Sequence, residues 1–334
     1  MNEQIPFILA LHNTTALQPL MRFFTFLGNE EFFLLLIPLV YLCIDRRIGA
    51  RLGFIVLLCD SLAFMLKLFF HLPRPYWIDP RIQVAQGLRD TSYGLPSSHA
   101  QVSTAVWFFF AAHSKKAWMW IVAAIIVFFI SLSRVYLGVH FPTDVIGGWI
   151  VGALFLVLFL RYETSLRRWF GSFSWLQQVA WSFMFSVLLF TLGFALRQLL
   201  SSTLDPAQWA SMTQGESRSL AALASRTGGL FGLGAGLAMM HQWARFEAGG
   251  TLAQRVARLL ISLVGLMTLR IGLSRVFPSE PEAADWFFRF VRYALMTWWV
   301  AFLAPLLFLK LRLVQTASAD SAVERPSSGT VSTG

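Results

Sequence analysis

Charge is what this sequence has least of. Only 13% of its 334 residues are Asp, Glu, Lys or Arg, against 56% hydrophobic, with a mean hydropathy of +0.61. A globular chain could not keep that much apolar area off water, so the composition is that of an integral membrane protein. Acids are scarcer than bases, 17 against 27, for a formal net charge of +10. In a soluble protein that excess would suggest nucleic acid. Here the basic residues lie in short loops between apolar runs, so the expected partners are anionic membrane lipids and not nucleic acid. The only two cysteines, Cys43 and Cys59, sit inside apolar runs, which excludes a disulfide framework or a cysteine metal site. No carboxylate cluster or His/Cys spacing suits a metal, and no cofactor is expected. The first residues include Glu3 and no basic stretch, so the first spans are expected to do the targeting.

What the chain does have is apolar runs of crossing length, about 20 helical residues each. They lie near 30–45, 49–71, 98–113, 117–137, 142–161, 175–199, 219–241, 256–275 and 286–312. The expected fold is all-α: a polytopic membrane helical bundle of about nine transmembrane helices. An N-terminal interfacial helix over 5–27 precedes them, its apolar pattern interrupted by Pro6, His12, Asn13 and Arg22. The expected division is a core over 1–165, a four-span extension over 166–315 and a disordered Ser/Thr/Ala-rich tail over 316–334. One set of span ends carries Arg46, Arg47, Arg51, Lys115, Lys116, Arg161, Arg167, Arg168, Arg245, Arg255, Arg258, Lys310 and Arg312. Those ends are expected in the cytoplasm. The N-terminus then lies outside, in the periplasm of a bacterial inner membrane, and the C-terminus inside.

Three polar stretches fall at the outer ends. Lys67 and Arg74 flank the end of the second span, where Pro73 and Pro75 stop the helix. Pro96-Ser97-Ser98-His99 opens the third. Arg134 closes the fourth, and His140, Pro142 and Asp144 open the fifth. Proline suits a first helical turn, which puts His140 at the helix mouth and Asp144 one turn in. Taken alone, that last stretch also fits a His–Asp cap beside a snorkelling arginine. Taken together, three cations with no matching acids and two helix N-termini make a site for a multiply charged anion.

These motifs, K-x6-RP, PSxH and SR-x5-H-x3-D, resemble the type 2 phosphatidic acid phosphatase superfamily. The second reads PSSH, with Ser98 where the family usually has glycine. That wording, with the long loop before it, resembles the sphingosine-phosphate phosphatase branch. The resemblance covers residues 60–150 well and does not reach the C-terminal half. It implies a metal-independent phosphatase acting on a lipid phosphate. His140 would attack phosphorus, Asp144 would orient it, and His99 would protonate the leaving group and then activate water. Lys67, Arg74, Arg134, Ser97 and Ser98 would bind the phosphate oxygens. A lipid phosphotransferase would use the same residues. A transporter or scaffold would instead put the function in the last four spans, which also offer a homodimer surface.

Other residues are less directive. Asp60 is a buried partner for a base, a relay or a helix-packing contact. His71 reads as an interfacial side chain. The loop Tyr76 to Leu95, with Arg81, Arg89, Asp90 and Tyr93, is expected to cover the pocket and to select the headgroup through its arginines.

Overall fold

The computed structural model describes residues 1–12, 14–203, 205–213, 216–243 and 246–314; the expected disordered tail lies outside them. The described residues are helical, without β-strands. Two short helices, α1 (Ile5–His12) and α2 (Gln18–Phe26), lead into α3 (Glu30–Cys43). Then come α4 (Arg46–Phe70), the one-turn α5 (Pro75–Ile78), α6 (Ser98–Ser114), α7 (Ala117–Tyr136) and α8 (Pro142–Gly171). The extension holds α9 (Trp175–Leu199), α10 (Ala207–Thr213), α11 (Ala221–Trp243), α12 (Leu252–Val276) and α13 (Glu282–Trp298). A π-helical turn at Trp299–Leu303 joins α13 to α14 (Ala304–Lys310).

Each expected span contains a helix, but six helices are long and apolar enough to cross a membrane, or seven if the bent pair α2 and α3 counts as one. Three fall short. α3 has 14 residues, α6 has 17 and carries Ser, Gln, Thr and His, and α11 is rich in Gly and Ala and holds Arg226. The N-terminal segment also departs from a single interfacial helix. Pro19, in the first turn of α2, helps to break it. Ile5 and Ile8 of α1 are buried in the core beneath the motif loops.

Local chemistry sets the helix starts. Asp45 caps α4 by accepting from Arg47 and Ile48 N–H at 2.7 and 2.9 Å. Ser174 with Gln177, and Thr251 with Gln254, form capping boxes at α9 and α12. α4 is the shared wall: it packs on α3, α6 and α11, and α11 packs in turn on α9 and α13. α8 and α9 turn rows of exposed Ile, Leu, Val, Phe and Met outward, as lipid-facing helices do.

Two close approaches rest on glycine. A Cβ at Gly152 of α8 would strike the Gln101 carbonyl of α6, and one at Gly232 of α11 would strike the Ala294 carbonyl of α13. The first contact matters for the site, because Gly148, one turn earlier, lies over the Ser97 carbonyl. Gly152→Val is expected to overpack this seam and cost about 1–3 kcal/mol. The measurement is thermal unfolding in detergent; an unchanged midpoint would count against the seam.

Candidate active site

α4 ends at Phe70 because His71 takes the left-handed conformation, φ 57°, and its N–H closes on the Lys67 carbonyl. Lys67, in the last turn, is 4% exposed, and its Nζ donates to the Tyr93 and Gly94 carbonyls at 2.7 and 3.2 Å. Arg74 precedes α5 and is fully buried. Its Nε donates to the Ser92 carbonyl at 2.6 Å. Nη1 donates to the Val139 carbonyl at 3.0 Å, and Nη2 to Asp90 Oδ2 at 2.7 Å and to Ser92 Oγ at 3.0 Å. Nη1 also lies 3.2 Å from His140 Nε2.

His140 follows a tight turn through Gly138, whose φ of 71° a side chain would resist. The ring is 2% exposed. Its Nδ1 lies 3.2 Å from Asp144 Oδ2, which also accepts the Phe141 N–H at 2.9 Å. Asp144 therefore caps α8 and braces the imidazole at once. Asp144, when ionised, can only accept, so Nδ1 carries the proton and Nε2 keeps its lone pair toward Arg74. Burial first, then the charges of Arg74, Lys67 and Arg134, hold the His140 pKa well below the usual imidazole value. That favours the neutral ring.

The Ser97 N–H donates to the Asp144 carbonyl at 2.9 Å, tying the start of α6 to that of α8. Ser97 Oγ and Arg134 Nε are buried and make no hydrogen bond within the protein. Donors of this kind fit an anion that supplies the missing acceptors. Ser98 is the first residue of α6. His99 and Arg134 are held differently, by the N-terminal segment. His99 Nε2 meets Asn29 Oδ1 at 2.7 Å, and Arg134 Nη1 donates to Thr25 Oγ1 at 2.5 Å. Direct contacts thus join Arg74, His140, Asp144 and Ser97, and Lys67 shares the Tyr93 carbonyl with Arg74. Ser98 and His99 follow on the same helix start.

Several expectations need correction. The cations do have a matching acid: Asp90 pairs with Arg74. Burial would raise the Asp90 pKa, but the charges of Arg74 and Lys67 outweigh it and hold it well below the carboxylate range. With 46% of its side chain exposed, the cations decide that balance. Arg81 is 70% exposed and forks onto Asp79, while Arg89 Nε donates to the Val84 carbonyl, so neither turns toward the cluster. It is Asp90, Ser92 and Tyr93 that serve the site from this loop. His71 is not simply an interfacial side chain; its ring lies 4.4 Å from the Tyr93 ring, tilted by 37°, and its Nε2 meets Arg218. Asp60 pairs with Arg226 of α11. Asn29, Thr25 and the Tyr93 carbonyl escaped sequence reasoning; the one local signal was Asn29, standing just before an apolar helix where a cap belongs.

Residues 48–168 match the PAP2 superfamily, and residues 224–317 match the PAP2 superfamily phosphatase transmembrane extension. The chain is 30% identical over 166 residues to phosphatidylglycerophosphatase B of Bacillus subtilis, covering 46% of this chain and 78% of that protein. It is 27% identical over 312 residues to glucose-6-phosphatase 3 of Mus musculus, covering 84% of this chain and 87% of that one. Sphingosine-1-phosphate phosphatase 2 of Homo sapiens is 29% identical over 145 residues, 42% of this chain and 36% of that protein. The chain belongs to the PAP2 superfamily: it is an integral membrane phosphoric ester hydrolase. The family likeness extends into the C-terminal half, contrary to the expectation from the three motifs.

A neutral His140, if it is the residue that acts on substrate, would give a definite pH profile. The acid limb of kcat/KM is expected below the ordinary imidazole pKa of about 6.5. A limb above that value would show that the ring is not held neutral by its surroundings.

Proposed function

We propose that this protein hydrolyses the phosphomonoester or pyrophosphate of a lipid at the outer, periplasmic face of the membrane, through a phosphohistidine. The observation that carries the reading is His140, with Nδ1 braced by Asp144 and Nε2 facing the buried guanidinium of Arg74. Substrate phosphate takes the N–H groups of Arg74, Lys67 and Arg134, the Ser97 hydroxyl and the Ser98 N–H. Nε2 is then released to attack phosphorus. The ester P–O bond breaks as the N–P bond forms, and His99 gives its proton to the leaving oxygen. In the second step His99 takes a proton from water, the hydroxide attacks phosphorus, and the N–P bond breaks to release inorganic phosphate. Asp144 offsets the charge on His140 throughout. Charge neutralisation comes from three side-chain cations, so the reaction proceeds without a metal ion.

The outward orientation follows from charge. The α3–α4, α6–α7 and α8–α9 turns carry Arg46, Arg47, Lys115, Lys116, Arg167 and Arg168, away from the motif loops. Lipid substrates suit the phosphatidylglycerophosphatase and sphingosine-1-phosphate phosphatase relatives.

One observation favours a second reading, a water-soluble, hydroxyl-rich phosphate ester. Gln101 of α6 donates to the Cys59 carbonyl of α4, which sets His99 level with Asp60. Around that level lie Asn29, Glu30 with Tyr293 at 2.9 Å, and the Asp60–Arg226 pair, with side chains 26% and 22% exposed. A hydroxyl-rich leaving group would find hydrogen-bond partners among such polar side chains. The glucose-6-phosphatase 3 relative is similar along both halves of the chain.

The deciding experiment is phosphate release in EDTA from phosphatidylglycerol phosphate, sphingosine 1-phosphate, a polyprenyl diphosphate and glucose 6-phosphate. His140→Ala is expected to abolish release from whichever ester is cut, and Arg134→Ala to lower kcat about 10²–10³-fold. Vanadate is expected to inhibit. Full activity in His140→Ala would end the phosphohistidine mechanism, and loss in EDTA would end metal independence.

A further inference from the structure

We propose that Asp205 and Arg218, in the connector between α9 and α11, are positioning residues for the phosphate-binding cations, acting through Tyr93. The inference rests on the reading of Lys67 and Arg74 as phosphate ligands. Tyr93 has two ends with different partners. Its carbonyl accepts from Lys67 Nζ at 2.7 Å and from Arg74 Nη2 at 3.4 Å. Its hydroxyl donates to Asp205 Oδ2 at 2.7 Å and accepts from Arg218 Nε at 3.1 Å. The residue is fully buried, with its ring between His71 and Trp77. Burial first, then the Asp205 carboxylate, push the phenol up to about 12, so the hydroxyl keeps the proton it gives to Asp205.

The clamp is itself fixed. Arg218 Nη1 donates to the Leu200 carbonyl at 2.7 Å, and Nη2 to the Thr203 carbonyl and to His71 Nε2, both at 2.6 Å. His71 Nδ1 in turn donates to the Leu68 carbonyl at 2.8 Å, one residue past Lys67. Ser217 Oγ donates to Asp205 Oδ2 at 3.1 Å. On the site side there is little slack. Gly94 N–H bonds the Leu72 carbonyl at 2.8 Å, and a Cβ at Gly94 would meet the Pro73 carbonyl and Asp144 Oδ2. A shift of the Tyr93 hydroxyl therefore passes along a stiff residue to the oxygen that aims both cations. Without the clamp, Lys67 and Arg74 lose their direction, which weakens anion binding in the ground state and the transition state alike.

A role limited to holding the fold would lower the amount of folded protein and leave its affinity alone. The test is a double-mutant cycle on the full chain in detergent, hydrolysing p-nitrophenyl phosphate, with the inhibition constant for orthovanadate as readout. Tyr93→Phe and Asp205→Ala are each expected to raise that constant about tenfold, the value of one hydrogen bond to a charged group. The double variant is expected to be no worse than either single, and Asp205→Asn, which still accepts from the phenol, to recover most of the loss. Parental vanadate affinity in Tyr93→Phe, or effects that multiply in the double variant, would overturn the proposal. Tyr93→Phe keeps the ring and carries the test alone if Asp205→Ala does not fold. Hydrolysis surviving in His140→Ala would instead count against the mechanism, a separate result.

Discussion

A guanidinium with no access to water governs this site. Burying a cation is tolerable only when nearly every N–H finds an oxygen or a counter-charge, and leaving one donor short costs on the order of 1–3 kcal/mol. Arg74 meets that condition with partners from two loops: Asp90, Ser92 and Tyr93 before α6, and Val139 and His140 before α8. Those loops cannot move apart without stranding it. The same bonds fix the distance between the cation and the imidazole beside it. The electrostatic and mechanical roles of Arg74 are one arrangement.

Much of this was legible where contacts are local. The spacing His140, Pro142, Asp144 specifies a helix start and a brace within one turn, and α8 begins at Pro142. The ends of α4 and the start of α6 follow from Pro73, Pro75 and Pro96 with their neighbours. What stayed hidden joins residues far apart in the chain. Asp90 reaches Arg74 through a loop without periodicity, and Asp60 meets Arg226 across 166 positions. Asn29 reaches His99 only because α2 and α3 bend by 50° between them. Fewer helices than the nine expected spans are long and apolar enough by themselves to cross. Hydropathy registers apolar content, while α6 and α11 give part of their length to the polar and small residues that line the site and the helix seams.

The extension is more than added membrane anchorage. α11 lies against α4, and its approach to α13 depends on glycines at one-turn intervals. The connector before α11 closes over the loop that carries Asp90 and Tyr93. A chain built only from the first eight helices would leave that loop without its outer partner and expose Trp77, whose ring packs near Trp209.

The shared duty of Asp144 couples chemistry to the bilayer. Its carboxylate terminates α8 and steadies the imidazole, so the ring turns with the helix axis. α8 has 30 residues, a rod of about 45 Å, longer than a hydrocarbon core of about 30 Å. Its apolar part, residues 142–160, is about 28 Å long and matches that core, and the end that carries Arg161, Glu163, Arg167 and Arg168 runs beyond it. Through Asp144 the start of this lipid-facing helix and the bracing of the imidazole are one feature, and neither can be altered without the other.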